Sequence, residues 1–165
     1  MEPRAGPLET TGDMTILHET IQTALPVEEA FALIADFANA ERWDPGVATS
    51  ERIDPGPVGL GARYLLGVRM RGRVAPMEYR ITTFEPSRRV VLTGSGPNIS
   101  AVDDIRFEPI SDGTRIDYTA DIHLGGRMRL VEPFAGGAFR KIARDALGGM
   151  QRFLDEQVRL RETAT

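Results

Sequence analysis

The chain has 165 residues, no cysteine, two histidines and a formal net charge of −4. Disulfides, cysteine-bound zinc and thiol chemistry are excluded, and the acidic balance argues against a nucleic-acid partner, which needs a basic excess on one face. A chain of this length buries about 70% of the surface that it exposes when unfolded, so a single core can hold it together without staples.

Residues 1–13, MEPRAGPLETTGD, hold Gly, Pro, Thr and charges without an apolar run, and read as a disordered tail. A signal peptide needs about 7–15 apolar residues in a row and a membrane span needs about 20. Neither pattern occurs, so the expected location is the cytoplasm, with no integral membrane association. MTILHETIQTAL, residues 14–25, is rich in Thr and Ile and reads as a strand. Pro26 with Glu28 and Glu29 marks a helix start, and Val27, Phe31 and Ile34 share its apolar face. FANAERW, residues 37–43, reads as a second short helix that Asp44-Pro45 ends.

Turn chemistry predicts a run of antiparallel strands and fixes which side chains share a face. Residues 47–55 supply one strand, which stops at Asp54-Pro55-Gly56. A turn at Arg71-Gly72 sets Val68 opposite Ala75, Leu66 opposite Met77 and Tyr64 opposite Tyr79. A turn at Pro86-Ser87 sets Ile81 opposite Leu92 and Thr83 opposite Val90. Asp112-Gly113 is a strong two-residue hairpin turn, which sets Phe107 opposite Tyr118, Ile105 opposite Ala120 and Asp103 opposite Ile122. On the other face Glu108 then meets Asp117 and Asp104 meets Asp121. All three hairpins agree on one inner, mostly apolar face.

The last third of the chain has helical periodicity. Phe134, Ala138, Ile142, Leu147, Met150, Leu154 and Val158 recur at three- and four-residue steps, with Arg140, Arg144, Arg152 and Glu156 on the opposite face. Gly136-Gly137 and Gly148-Gly149 interrupt this pattern, which implies kinks or close packing against something bulky.

Several stretches carry a family resemblance: ALPVEEAFALIADFANAERWDP after the first strand, GLGARY at 59–64, TTFEPSRRVVLTG and IRFEPISDGTRIDY. Together they resemble the START and polyketide cyclase/dehydrase superfamily, which shares its fold with the birch-pollen-allergen-like proteins. The resemblance implies an α+β helix-grip fold over residues 14–160: a curved antiparallel sheet of about seven strands wrapped around a long C-terminal helix, with two short helices after strand one. It implies an apolar cavity between sheet and helix, and a lipid, isoprenoid or polyketide as the kind of ligand.

Candidate site residues follow from the inner face. The expected ligand-binding set is Phe37, Trp43, Tyr64, Leu66, Val68, Met77, Tyr79, Ile81, Leu92, Asp103, Ile105, Phe107, Tyr118, Ala120, Phe134 and Ile142. Asp103 is the one carboxylate on that face. With Tyr64, Tyr79 and Tyr118 it is the candidate catalytic group for a cofactor-independent aldol cyclisation or dehydration. A packed core with the tyrosine hydroxyls at a wet rim competes with that reading, and an interaction module with a filled cavity is a third. Asp103 and Asp104 point to opposite faces and form no dyad. Trp43, the single tryptophan, either caps the core or forms a cavity wall. His18 and His123 have no metal-ligand spacing, the Gly56–Gly61 and Gly94–Gly96 clusters lack the context of a phosphate loop, and no cofactor is expected. Arg127, Arg129, Arg140, Lys141 and Arg144 read as a solvated face. The sequence leaves monomer and homodimer equally open.

Overall fold

A computed structural model describes the backbone of residues 14–126 and 132–165, and the side chains of 15–126 and 140–165. Phe134, Ala138, Arg127, Arg129 and Gly136-Gly137 therefore lie outside the described side chains. Seven strands form one antiparallel sheet in the order β1-β7-β6-β5-β4-β3-β2. β1 is Met14–Thr23, β2 Val47–Arg52, β3 Arg63–Met70, β4 Arg73–Glu85, β5 Arg89–Gly96, β6 Ile99–Ile110 and β7 Gly113–Leu124. Helix α1, Val27–Ala35, and α2, Ala40–Trp43, follow β1, with a 3-10 turn at Phe37–Asn39 between them. The long helix α3 is Glu132–Thr163 and lies along the inner face against β1 and α2. The helix-grip architecture expected from the sequence is the one observed.

Local chemistry explains the elements. Pro26 precedes α1, where its fixed φ suits a helix entry and its missing N–H would have no intrahelical partner. Asp36 accepts from the Ala38 N–H at 3.1 Å and starts the 3-10 turn. The β3–β4 hairpin has the expected register, Tyr64↔Tyr79, Leu66↔Met77 and Val68↔Ala75, with Arg71 and Gly72 both at positive φ.

Two hairpins depart from expectation. At β6–β7 the turn residues are Ser111 and Asp112, because Ile110 pairs with Gly113. Phe107 therefore faces Ile116, Ile105 faces Tyr118 and Asp103 faces Ala120. Charge explains the choice. The expected register set Glu108 against Asp117 and Asp104 against Asp121, whereas the observed one sets Glu108 against Arg115 and Arg106 against Asp117. A two-residue shift in partner leaves every side chain on its face, so the inner set is unaltered. At β4–β5 Ile81 does face Leu92, but a bulge between Ile81 and Thr83 sets Thr83 against Val91 and Phe84 against Val90.

The bulge matters for packing. Phe84 meets Phe31 of α1 edge-on at 5.3 Å, and Phe31 meets Phe107 at 5.1 Å. With Ile34, Ile81, Leu92, Ile105, Ile116, Met150 and Leu154 they belong to one buried core. α3 stays close to α2 through Gly149: a Cβ there would fall 1.8 Å from the Trp43 carbonyl oxygen. Of the two expectations for the glycine pairs, close packing is the one met at Gly149, and α3 runs on without interruption.

Candidate functional site

Small side chains make room beside the solid core. Ala101 on β6 and Ala120 on β7 face Ala143 and Ala146 on α3 across a cavity of about 500 Å³. Of the residues expected to touch a ligand, Phe37, Trp43, Leu66, Val68, Met77, Tyr79, Asp103, Tyr118, Ala120 and Ile142 line it. Ile142 is half exposed and forms part of the rim.

Five expected residues are placed elsewhere. Ile81, Leu92, Ile105 and Phe107 share the inner face but lie in the solid core. Phe31 fills the α1 end of the sheet and covers it. Tyr64 is fully buried, behind Phe37 as seen from the cavity residues, with the Arg52 guanidinium 5.5 Å from its ring. Burial, and then the Asp36 carboxylate, push its phenol pKa well above the ordinary 10. Phe134 is among the undescribed side chains.

The polar chemistry of the cavity gathers at its aromatic end. The Tyr118 hydroxyl donates to Asp103 Oδ1 at 2.8 Å. Burial pushes the Asp103 carboxyl up from 3.8 to about 7; the Tyr118 bond opposes that rise and the Asp44 carboxylate adds to it. Asp44 itself is raised, first by burial, although its Oδ1 accepts from the Gly46 N–H at 2.7 Å. Tyr79 and Tyr118 are both pushed well above the ordinary phenol value, first by burial and then by the Asp103 charge. Both phenols therefore stay protonated, and Tyr118 donates to Asp103.

The rings form a connected wall. Trp43 meets Phe37 at 6.1 Å and Tyr118 at 6.4 Å, both edge-on, and Phe37 meets Tyr79 at 5.4 Å. Tyr79 lies so close to β5 that a Cβ at Gly94 would sit 2.6 Å from its ring, so Gly94 serves ring packing rather than a turn. Trp43 is 4% exposed, and its backbone is held against α3 at Gly149. It is a cavity wall and at the same time part of the core.

The sequence pattern of the family described as "Polyketide cyclase / dehydrase and lipid transport" matches residues 14–155. The chain belongs to this family. Among solved structures it resembles the Zhui aromatase/cyclase from Streptomyces sp. R1128, with 14% identity and a TM-score of 0.73 over 88% of this chain and 96% of that one. A START superfamily protein from Mycobacterium smegmatis matches at 12% identity and a TM-score of 0.72, over 87% of this chain and 98% of that one. Ara h 8.0201 matches at 14% identity and a TM-score of 0.61, over 86% and 96%. A search of curated proteins finds no match to the sequence. Identities this low carry the fold and no chemistry.

Within this cyclase/dehydrase-family chain, several cavity residues were not anticipated. Leu17 and Glu19 enter from β1, whose pairing with β7 the hairpin turns could not reveal. Ala101, Ala143 and Ala146 make space by being small, a signal that a search for large apolar residues overlooks. In the sequence Asp44 is a helix stop; in the structure it also borders the cavity. On the outer face Asp104 is held by Arg89 at 3.0 and 2.8 Å and by Arg106 at 3.3 Å, well away from Asp103 chemistry. His123 sits 3.2 Å from Asp121, and His18 is exposed. Among the described residues no three His, Asp or Glu side chains gather in a way that could hold a metal, and no helix is long and apolar enough to cross a membrane.

Proposed function

We propose that the protein binds a hydrophobic small molecule, of lipid, isoprenoid or polyketide size, in the cavity between the sheet and α3. The observation that carries this reading is a cavity of about 500 Å³ whose walls are mainly apolar and aromatic and whose polar groups converge at one end. That volume falls within the roughly 300–1,000 Å³ usual for small-molecule sites. The test is native mass spectrometry of freshly purified protein with extraction of anything bound, alongside a Trp43 fluorescence titration with an apolar probe. A co-purified species, or a saturable Trp43 response, is expected. Ala120→Phe, which fills the cavity from the sheet side, is expected to abolish that response while thermal unfolding stays within a few degrees of wild type. An unchanged response in the filled variant would place the ligand elsewhere.

A second reading, cyclase or dehydratase activity, draws support from Asp103. A carboxyl with a pKa of about 7 is half protonated at neutral pH, so it can take a proton from a ligand carbon and return one to a departing hydroxyl. Tyr118 keeps it oriented through their 2.8 Å hydrogen bond. Asp103→Asn would then stop turnover of a bound β-hydroxy ketone, followed as loss of water by mass spectrometry, and leave the ligand bound.

A further inference from the structure

Among the described residues, the Asp103 carboxylate has no counter-charge in the cavity wall. Glu19, Asp44 and Asp103 line it. The arginines among its described lining residues are Arg69 and Arg71, both exposed, as Glu19 is; Arg69 donates to the Pro45 carbonyl at 2.9 Å and its charge acts on Asp44, not on Asp103. Asp103 is 6% exposed, and Tyr118 gives its one hydrogen bond among the described residues. The groups around it are Tyr118 from β7, Tyr79 from β4, Asp44 from the α2–β2 loop and Glu19 from β1, which pairs with Tyr118. The described cavity-facing side chains of α3, Ile142, Ala143, Ala146 and Leu147, carry no charge. Thus no described cation meets Asp103. A buried carboxylate is costly until a counter-charge is supplied, and the faces of aromatic rings attract cations.

We propose that the ligand is an apolar amine bound as its cation, with the ammonium between the Asp103 carboxylate and the ring wall of Phe37, Trp43, Tyr79 and Tyr118. This rests on the reading that the cavity is a ligand site, and it names the class of ligand. The hydrocarbon body occupies the alanine-lined part of the cavity, and Tyr118 keeps donating to Oδ1 while Oδ2 meets the cation. Because Asp103 is protonated below about pH 7 in the free protein, binding of a cation at lower pH expels that proton.

The test uses two probes of equal shape: a naphthylalkyl trimethylammonium and its carbon isostere ending in a tert-butyl group. Neither probe titrates, so any pH dependence belongs to the protein. Binding to the full chain is followed by Trp43 fluorescence and calorimetry at pH 5 and pH 8. The ammonium is expected to bind about 100-fold more tightly at pH 8 than at pH 5, one decade for each pH step below 7. The isostere is expected to show no such change, and Asp103→Asn to flatten the ammonium profile. Equal, pH-independent binding of both probes overturns the inference and leaves the cavity as a neutral-ligand site. A pH profile that persists in Asp103→Asn also overturns it, because another group would then be the anion. If neither probe binds, the ligand-site reading fails and this inference falls with it. The two-probe comparison on the wild-type protein decides even if the variant does not fold.

Discussion

Replacing Asp103 with Asn should change how the protein's stability responds to pH. The folded protein holds the Asp103 proton up to about pH 7, whereas the unfolded chain releases it near the ordinary 3.8. The group's favourable contribution is therefore complete below about pH 4, declines as pH rises through the interval, and is gone above about pH 7. At about 1.36 kcal/mol for each decade of proton affinity, the interval corresponds to about 4 kcal/mol. Asn cannot ionise and still offers an oxygen to the Tyr118 hydroxyl. The variant should match wild type near pH 4 and exceed it at pH 8 by an amount approaching that figure. Asp44, raised in the same sense, is present in both proteins and cancels in the difference. Carboxylates held low by arginine, such as the half-buried Asp104 and the exposed Glu78, cancel likewise. Urea unfolding followed by Trp43 fluorescence at pH 4, 6 and 8 reads the difference directly. A wild-type-minus-variant difference that is the same at all three pH values would refute the buried, cation-free placement of Asp103.

Two further substitutions probe the same end of the molecule. Tyr118→Phe removes the bond that restrains the Asp103 carboxyl, so its titration midpoint should move above 7, measured by the carboxyl carbon shift in NMR; a downward move would show that the phenol does not favour the ionised form. Gly149→Ala should destabilise by about 2 kcal/mol or more, because its Cβ must displace the Trp43 backbone and overpacking of this kind costs about 1–3 kcal/mol or more. Helix propensity alone would make the same variant about 1 kcal/mol more stable, so a gain on chemical unfolding would contradict the close approach of α2 to α3.

Much of the fold was legible because turns and periodicity are local signals. The Arg71-Gly72 turn gave the β3–β4 register residue for residue, since both residues adopt the positive φ such a turn needs. The β6–β7 register was missed, because the Asp112-Gly113 turn signal outweighed the charges, and only the observed alignment sets Glu108 and Asp117 against arginines. The Ile81–Thr83 bulge had a weak signal that a strict period of two passes over: Phe84 falls three residues after Ile81, out of step with Tyr79 and Ile81. For the cavity, inner-face parity identified Tyr79, Asp103, Tyr118 and Ala120. Parity cannot say which part of a face is covered, so Ile81, Leu92, Ile105 and Phe107 were grouped with them although Phe31 closes off that end. Glu19 and Asp44 reach the cavity through long-range packing, which no short window of sequence records.

The pairing of β1 with β7 has a consequence for how the chain reaches its native state. Ten residue pairs join the first strand to the last, from Thr23↔Thr114 to Met14↔His123. Strands β2 to β7 are each paired with their neighbour in sequence and can zip as a meander while the chain is being made. β1 has no partner until nearly residue 124 has left the ribosome, and α3, the other element packed against it, comes later still. For most of synthesis the strand that will close one side of the cavity keeps its backbone N–H and C=O groups unpaired, a condition that exposes nascent chains to wrong pairing.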